Sequence, residues 1–494
     1  MLQNARLDFL HRQDLTSTIG LNQVVSLEVT SSIAPGFIQP LKSAKTDTKT
    51  DAASLSKRNR PTSPIKHHVS SASPALASVR VSKGKPTRSA SMLTESLLKS
   101  ASTNDAGGRL VRQQSMPAPL LALPNTEVGD VFVVGSGDCG QLGLGDDPDN
   151  MSREKPAMLR YFNGKNIIGV FAGGLHNMAL TIDGKLYSWG CNDQKALGRN
   201  GEETEPGLVQ GLDKEFIVSV TCGDSVTAAL TREGGCIFGF APGIKEQALP
   251  YLMPDLKGIV QINAGTNHLV AVARDGKIYT WGVGEQGQLG RKVIARHVVD
   301  ASLTPRPINF RGGHYLSSRF ARAYCGGYNT FLVHEKNVLF SFGSHHGSWD
   351  LEIQRARPPR SIKEIDPDHG IADVAGGEHH SLVLDGKGNI YTFGRADDGQ
   401  LGFPDKKRLD VPKHLACLEN AVSVSAGGAF SLALIRNASG TNDLYGWGYG
   451  EMGQLSNGSV DCCEPEQFNL KGRHVIQAAA GGQHTLMLLR PKPE

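Results

Sequence analysis

Histidines recur at regular intervals after residue 170 of this 494-residue sequence, each following a glycine pair or a variant of one. Seven anchor glycines can be aligned, at Gly173, Gly223, Gly265, Gly326, Gly376, Gly427 and Gly481. Three positions later lie His176, Val226, His268, Asn329, His379, Phe430 and His484. Histidine can move protons, bind metals or hydrogen-bond within a fold. Because the histidines are spread so evenly, and no nucleophile motif, metal-ligand spacing or phosphate-binding loop occurs, we expect no metal, no cofactor and no bond-making catalysis.

Two acidic residues interrupt the glycine-rich pattern. Asp224 replaces the second glycine of the pair that begins at Gly223, and Asp138 lies in the loop GSGDCGQLG. An aspartate in such a loop either caps a turn or contacts a partner, and both roles stay open here. For His176 and His268 we favour a hydrogen bond to the backbone of a neighbouring blade. For His379 and His484, such a structural bond and a contact with a partner both stay open.

These residues are held in a repeat of short apolar strands and turns. One clear copy reads INAGTNHLVAVARDGKIYTWGVGEQGQLG, and the anchors are 42 to 61 residues apart, enough for four short strands each. Asp183-Gly184 and Asp275-Gly276 stand between alternating strands, as hairpin turns do. The repeat predicts an all-β fold, a seven-bladed β-propeller.

The two ends of the repeat region are complementary. The last copy stops after GGQHTLMLL and lacks its aromatic-glycine strand, whereas the first segment, DVFVVGSGDCGQLGLG from Asp130, contains only that missing half. We expect the N- and C-terminal strands to pair in one composite blade. A ring closed in this way has no open sheet edge.

The first 127 residues differ in composition from the rest. They contain no Trp or Tyr, five of the 58 glycines, and sixteen Lys and Arg against eight Asp and Glu. A segment so poor in aromatic residues cannot bury enough apolar surface to offset its ordering entropy. We predict a disordered basic tail over residues 1–127 and one folded domain over 128–494. The tail's charge favours an anionic partner, with a merely solubilising role as the alternative.

Residues 128–494 resemble the regulator of chromosome condensation family. The motifs that carry the resemblance are GSGDCGQLGLG, CNDQKALGR, GDSVTAALT, NHLVAV, GEQGQLGR and GGQHTLMLL. It implies a guanine-nucleotide exchange factor for the small GTPase Ran that acts on chromatin in the nucleus and generates Ran-GTP. The implied partners are Ran, histones or the nucleosome, DNA and a nuclear import receptor. It also implies a GTPase-facing exchange site at Asp138, Asp224, Asn267, His379 and His484.

Two departures from the family pattern support an alternative function. Asn267 stands where the exchange factor has an aspartate, and Asn keeps the shape but not the charge. The stretch FGFAPGIKEQALPYLMP, near residues 239–254, lacks the Arg-Asp-Asn run of the family's inserted wedge. The alternative is a non-catalytic propeller adaptor that binds chromatin or another protein, and a scaffold without a GTPase partner is a third hypothesis.

The tail contains candidate localisation and modification sites. Its basic clusters suit an import receptor or phosphates, at Lys57, Arg58, Arg60, Lys83, Lys85 and Arg88. Its candidate phosphorylation sites are Ser63, Ser73 and Ser115. Eight cysteines without a C-x-x-C spacing indicate free thiols in a reducing compartment. No apolar run reaches the length of a membrane span, so we expect no membrane association.

Overall fold

The described part of the chain is built from seven four-stranded antiparallel sheets. A computed structural model describes residues 120–238, 249–291, 304–308, 319–344 and 360–491. Within these ranges the helical elements are short 3-10 turns, at Pro148–Asn150, Arg160–Phe162 and Pro367–His369. The all-β propeller predicted from the repeat is confirmed, and each sheet is one blade.

The strands follow the chain in order around the ring. Blade 7 includes the first two strands, β1 (Asp130–Ser136) and β2 (Ser152–Met158). Blade 1 contains β3 (Ile167–Ala172), β4 (His176–Thr181), β5 (Leu186–Gly190) and β6 (Gly207–Leu208). Blade 2 contains β7 (Ile217–Cys222), β8 (Thr227–Thr231), β9 (Cys236–Phe238) and β10 (Tyr251–Leu252). Blade 3 contains β11 (Ile259–Ala264), β12 (His268–Ala273), β13 (Ile278–Gly282) and β14 (Arg306–Pro307).

The second half repeats the same order. Blade 4 contains β15 (Phe320–Cys325), β16 (Asn329–His334), β17 (Leu339–Gly343) and β18 (Arg360–Ile362). Blade 5 contains β19 (Ile371–Gly376), β20 (His380–Asp385), β21 (Ile390–Gly394) and β22 (Leu409–His414). Blade 6 contains β23 (Ala421–Ala426), β24 (Phe430–Arg436), β25 (Asn442–Gly448) and β26 (Cys462–Gln467). The chain ends with β27 (Arg473–Ala480) and β28 (His484–Pro491), which complete blade 7.

Blade 7 is assembled from both ends of the repeat region. Strand β1 pairs antiparallel with β28, from Asp130 opposite Leu489 to Gly135 opposite His484. The sheet order is β2-β1-β28-β27, so two strands come from each end of the chain. This is the composite blade expected from the two incomplete repeats, and it joins blade 6 to blade 1.

A ring of backbone hydrogen bonds joins the blades around the axis. The first strands of successive blades contact one another, and the loop after each first strand bonds to the equivalent loop of the next blade. The donor and acceptor residues are Gly174–Gly223, Asp224–Thr266, Thr266–Gly327, Gly327–Gly377, Glu378–Gly428, Gly428–Gly481 and Gly482–Gly174. A Cβ on Gly173 would overlap the Gly223 carbonyl oxygen. The crowded axis therefore requires glycine at such an anchor.

The hydrophobic core is divided among the seams between blades. Seven clusters of buried side chains each draw on two adjacent blades. The aromatic residue of the third strand packs toward a neighbouring blade, and Trp189, Trp281 and Trp447 are fully buried. Because each blade buries its faces only against its neighbours, the loss of one blade exposes two seams.

Residues 120–127 form a strap that docks on the propeller before β1 begins. The Leu121 N–H donates to the Arg232 carbonyl (2.8 Å), and the Asn125 amide donates to the Ile168 carbonyl (2.9 Å). Leu121 and Leu123 pack against the core clusters of blades 1 to 3. The strap thus contacts the propeller upstream of the predicted domain boundary at residue 128.

We expect the strap to stabilise the fold through its inward-facing leucines. Replacing Leu121 and Leu123 by Ala should lower the free energy of unfolding by about 1–2 kcal/mol each, because both side chains are half-buried. Leu120, which is 63% exposed on the same strap, provides a matched control. Urea unfolding of the full chain should show Leu120→Ala close to wild type, and equal midpoints for all three variants would contradict strap docking.

Candidate partner-binding face at the channel mouth

Four of the repeated histidines hold neighbouring blades together. Each Nε2 lies within hydrogen-bond distance of a polar side chain on the next blade. The pairs are His176–Thr227 (2.8 Å), His268–Thr330 (2.9 Å), His380–Ser431 (2.9 Å) and His484–Asn177 (2.7 Å). The Thr330 hydroxyl donates to the Gln288 carbonyl, so it accepts a hydrogen bond from the Nε2–H of His268. The histidine and the G-Q-L-G loop of one blade therefore both hydrogen-bond to the same side chain of the next blade.

Burial keeps these four histidines neutral. Desolvation lowers the pKa of His176 and His268 to about 4, and that of His380 and His484 to about 3. All four are buried among the blades. A neutral imidazole enclosed in this way supports packing and does not face a partner.

Blade 5 differs by one residue from the alignment predicted from sequence. The Gly377 N–H donates to the His380 carbonyl, which is the bond that the anchor glycine makes in the other blades. His380 also pairs with Gly394, the glycine that ends the third strand. The anchor of this blade is therefore Gly377, and the prediction of Gly376 was wrong, since Gly376 ends β19. His379 lies one position before the buried histidine ring and is exposed.

The two positions after each anchor lie at one end of the central channel. We call this end the mouth face and define it by the loops that follow the first and third strands of each blade. These loops meet in pairs: the Val283 N–H donates to the Asn267 carbonyl (2.8 Å), and the Arg395 N–H donates to the His379 carbonyl (2.9 Å). Residues from different blades are thus brought to one surface although they are far apart in sequence.

The structure brings together three of the five predicted site residues around the mouth. Asp224 takes the first position after its anchor, while Asn267 and His379 take the second position in theirs. Asp138 lies on the same face but in the loop after β1, where its side chain is exposed. His484 is separate from them because it is fully buried and bonded to Asn177.

The centre of the mouth is electrostatically unusual because the pKa values of Asp224, Glu378 and His379 are all shifted. Burial raises the pKa of Asp224, and the charge of Glu378 raises it further. Burial also raises the pKa of Glu378 and lowers that of His379, with Arg395 lowering the His379 pKa further. Among the described residues, no Lys or Arg is within ion-pair distance of either carboxylate, so the mouth favours a cationic partner.

The sequence analysis missed a set of acids on the same face. Five blades place an exposed acid three residues after the glycine that ends the third strand, at Asp138, Asp193, Glu285, Asp397 and Glu451. The repeated string from that glycine to G-Q-L-G could have shown it, because an acid occupies the same place in five copies. The mouth face therefore carries negative charge from its centre to its outer loops.

Several predictions concern residues outside the described ranges. These are the tail positions Lys57, Arg58, Arg60, Lys83, Lys85, Arg88, Ser63, Ser73 and Ser115, together with residues 239–248 of the shortened wedge. Within the described ranges, no three or more His, Cys, Asp or Glu residues are arranged to hold a metal ion. None of the helices described there has the length and hydropathy for a membrane span. The eight cysteines are all free thiols.

Comparison with known proteins identifies the class to which this propeller belongs. The model of the RCC1-like domain matches residues 130–487, which span the ring from β1 into β28. The chain therefore belongs to the regulator of chromosome condensation family.

Individual relatives cover most of the chain. The regulator of chromosome condensation from Xenopus laevis is 32% identical over 429 residues, which span 81% of this chain and 99% of that protein. The guanine nucleotide exchange factor SRM1 from Saccharomyces cerevisiae is 27% identical over 72% of this chain and 86% of its own length. Two structures of yeast Prp20, one described with its binding to Gsp1p and histones and one bound to Kap60, are each 26% identical. Their TM-scores against this chain are 0.65 and 0.66. The two matches cover 76% and 80% of this chain, and 94% and 96% of the yeast chains.

Proposed function

We propose that this protein is a guanine-nucleotide exchange factor for the small GTPase Ran, acting on chromatin in the nucleus. The observation that carries the proposal is the mouth of the propeller channel, where Asp224 of blade 2 meets Glu378 and His379 of blade 5. Among the described residues, neither carboxylate has an ion pair with Lys or Arg. Such a surface fits a basic segment of a GTPase. The relatives support the choice, since one is named an exchange factor and another is described with Gsp1p.

The proposed mechanism needs no bond-making residue. Exchange requires that the propeller bind the nucleotide-free GTPase more tightly than the nucleotide-bound form. By linkage, the factor by which it prefers the empty form is the factor by which it weakens nucleotide affinity. The protein is therefore a GTPase regulator rather than an enzyme that transforms a substrate. The seven-blade ring supplies the rigid frame that such preferential binding requires.

We also propose that the basic tail serves chromatin binding and nuclear import. Its excess of eight positive charges would bind DNA or an acidic histone surface through counterion release. The yeast relatives described with histones and with Kap60 support these kinds of partner. Phosphorylation at Ser63, Ser73 or Ser115 would offset up to two of these charges per site.

The release of labelled GDP from Ran tests the proposal. The wild-type chain should accelerate release, and Asp224→Ala or His379→Ala should slow it by tens of fold, since a contact to a charged group contributes about 1.5–3 kcal/mol. Asp213→Ala, at an exposed acid before β7 at the other end of the propeller, is the matched control and should behave as wild type. No acceleration by the folded wild-type chain would reject the proposal.

Asn267 distinguishes the exchange factor from the adaptor. Asn267→Asp adds a carboxylate at the mouth without changing side-chain size, so it should raise the rate of GDP release or leave it unchanged. The same substitution should leave the thermal midpoint nearly unaltered because Asn267 is only half-buried. If neither wild type nor Asn267→Asp accelerates release, the adaptor that binds chromatin or another protein becomes the better account.

A further inference from the structure

Two blades place a charged side chain where the others have small, uncharged residues. The first positions after the seven anchors are Gly174, Asp224, Thr266, Gly327, Glu378, Gly428 and Gly482. Asp224 and Glu378 are thus the two carboxylates at this level of the ring. They belong to blades 2 and 5, which are three steps apart in a ring of seven and therefore lie nearly opposite each other across the channel mouth.

Glycines in the preceding blades make room for the Asp224 side chain and for the Glu378 backbone. A Cβ on Gly174 would overlap the Oδ1 atom of Asp224, and a Cβ on Gly327 would lie 2.7 Å from the Glu378 carbonyl oxygen. The Asp224 carboxylate therefore lies over Gly174, and the ring of backbone hydrogen bonds fixes the Cα positions of both acids. The two carboxylates thus extend from a closely packed part of the fold.

Tyr328 and His379 form an uncharged wall beside the acids. Their rings stack, with centroids 5.5 Å apart and planes inclined by 24°. Burial, together with the charges of Glu378 and Asp224, raises the pKa of Tyr328 to about 12, so both carboxylates act on this phenol. His379 Nε2 lies 3.7 Å from Glu378 Oε1, but the lowered pKa keeps the imidazole neutral.

The guanidinium of Arg395, whose charge lowers the pKa values of Glu378 and His379, is already paired. Arg395 makes an ion pair with Asp397, with 2.8 Å between Nε and Oδ2. Neither Asp224 nor Glu378 has an ion pair with Lys or Arg among the described residues. Two carboxylates without an ion-paired cation leave a negative potential at the mouth.

We propose that Asp224 and Glu378 are the two sides of one socket that takes a single Lys or Arg side chain of the bound GTPase. Tyr328 and His379 line the socket and contact the aliphatic stem or the cationic group of that side chain. The proposal rests on the proposed exchange function for the identity of the partner. It adds Glu378 and Tyr328 to the site and predicts that the two acids act as one unit.

One shared cation makes the effects of the two acids non-additive. If both carboxylates bind the same cationic side chain, removing either charge already loses much of that side chain's contribution to affinity. Removing the second charge then weakens binding only a little more. Acids that contact separate groups, such as those of the outer loops, would instead have effects that multiply. A double-mutant cycle therefore separates a socket from a generally acidic surface.

The experiment measures affinity for nucleotide-free Ran, together with GDP release, for Asp224→Asn, Glu378→Gln and the double variant of the full chain. Each single variant should lose about tenfold in affinity, and the double variant less than about thirtyfold. Asp213→Asn, at an exposed acid before β7 at the other end of the propeller, is the control and should stay within about twofold of wild type. Thermal midpoints should be unchanged or higher, because each substitution removes a desolvated charge.

Two results would overturn the socket while leaving the exchange function intact. One is Glu378→Gln behaving like Asp213→Asn while wild type exchanges normally. The other is a double variant that loses the product of the two single effects, about a hundredfold. Failure of wild type itself to bind nucleotide-free Ran would instead reject both the proposed function and the socket built on it.

Discussion

Deleting residues 475–494 should leave no folded propeller. The deletion removes β28 and most of β27, so β1 loses its partner strand and the core clusters on both sides of blade 7 lose their central side chains. It also removes His484 and the backbone bond from Gly482 to Gly174 that closes the ring. Because the opened ring exposes two seams, we expect loss of the whole stability of a domain, about 5–15 kcal/mol.

Circular dichroism with thermal unfolding provides the measurement. The truncated chain should show no cooperative transition, and the matched control, a deletion of residues 492–494 only, should melt as wild type does. A truncated chain that unfolds cooperatively at the wild-type temperature would show that the composite blade is not what closes the fold.

Acid should destabilise the propeller through its four buried histidines. Their pKa values of about 3 to 4 lie well below the ordinary 6.5, so the unfolded chain binds more protons below pH 6.5. The stabilisation is complete above pH 6.5 and falls as the pH drops toward 4. At pH 5, each buried histidine should lower the free energy of unfolding by about 2 kcal/mol relative to neutral pH. Asp373 opposes this, because its pKa is raised to about 6 by burial and it stabilises the fold as it protonates, but one carboxyl offsets only about one histidine.

Urea midpoints at pH 7 and pH 5 test this expectation. The midpoint should fall steeply between the two, and His268→Gln should reduce the fall because a glutamine amide can still donate to Thr330 but does not titrate. A midpoint that is constant over this range would mean that the histidines are charged or exposed in the folded chain.

The sequence allowed the ring to be predicted, including its closure, because the first and last repeats are complementary halves. Strand periodicity and glycine spacing are local signals, and a propeller is built from local units. The register of blade 5 was not predictable by the same alignment. In blade 5, Gly376-Gly377 looks like the usual glycine pair. The anchor is in fact Gly377, and Glu378 takes the place of the second glycine, so the alignment by glycine pairs is wrong by one residue.

The site was predicted less completely than the fold. Asp224, Asn267 and His379 do meet at the mouth, since the two positions after each anchor lie at the same end of the channel. His484 is buried and bonded to Asn177 of blade 1, as its repeat position, shared with His176 and His268, would indicate. Glu378 was missed because the shifted alignment placed it inside the loop rather than at the first position after the anchor.

The affinity of the propeller for Ran in its nucleotide-free and GDP-bound forms tests the central claim most directly. Exchange by preferential binding predicts that the propeller binds nucleotide-free Ran at least tens of fold more tightly than GDP-bound Ran. Added GDP should dissociate the complex of the propeller with nucleotide-free Ran. Asp224→Asn should weaken binding to the empty form most. Equal affinity for the two forms, or no binding to either by the folded chain, would contradict the account.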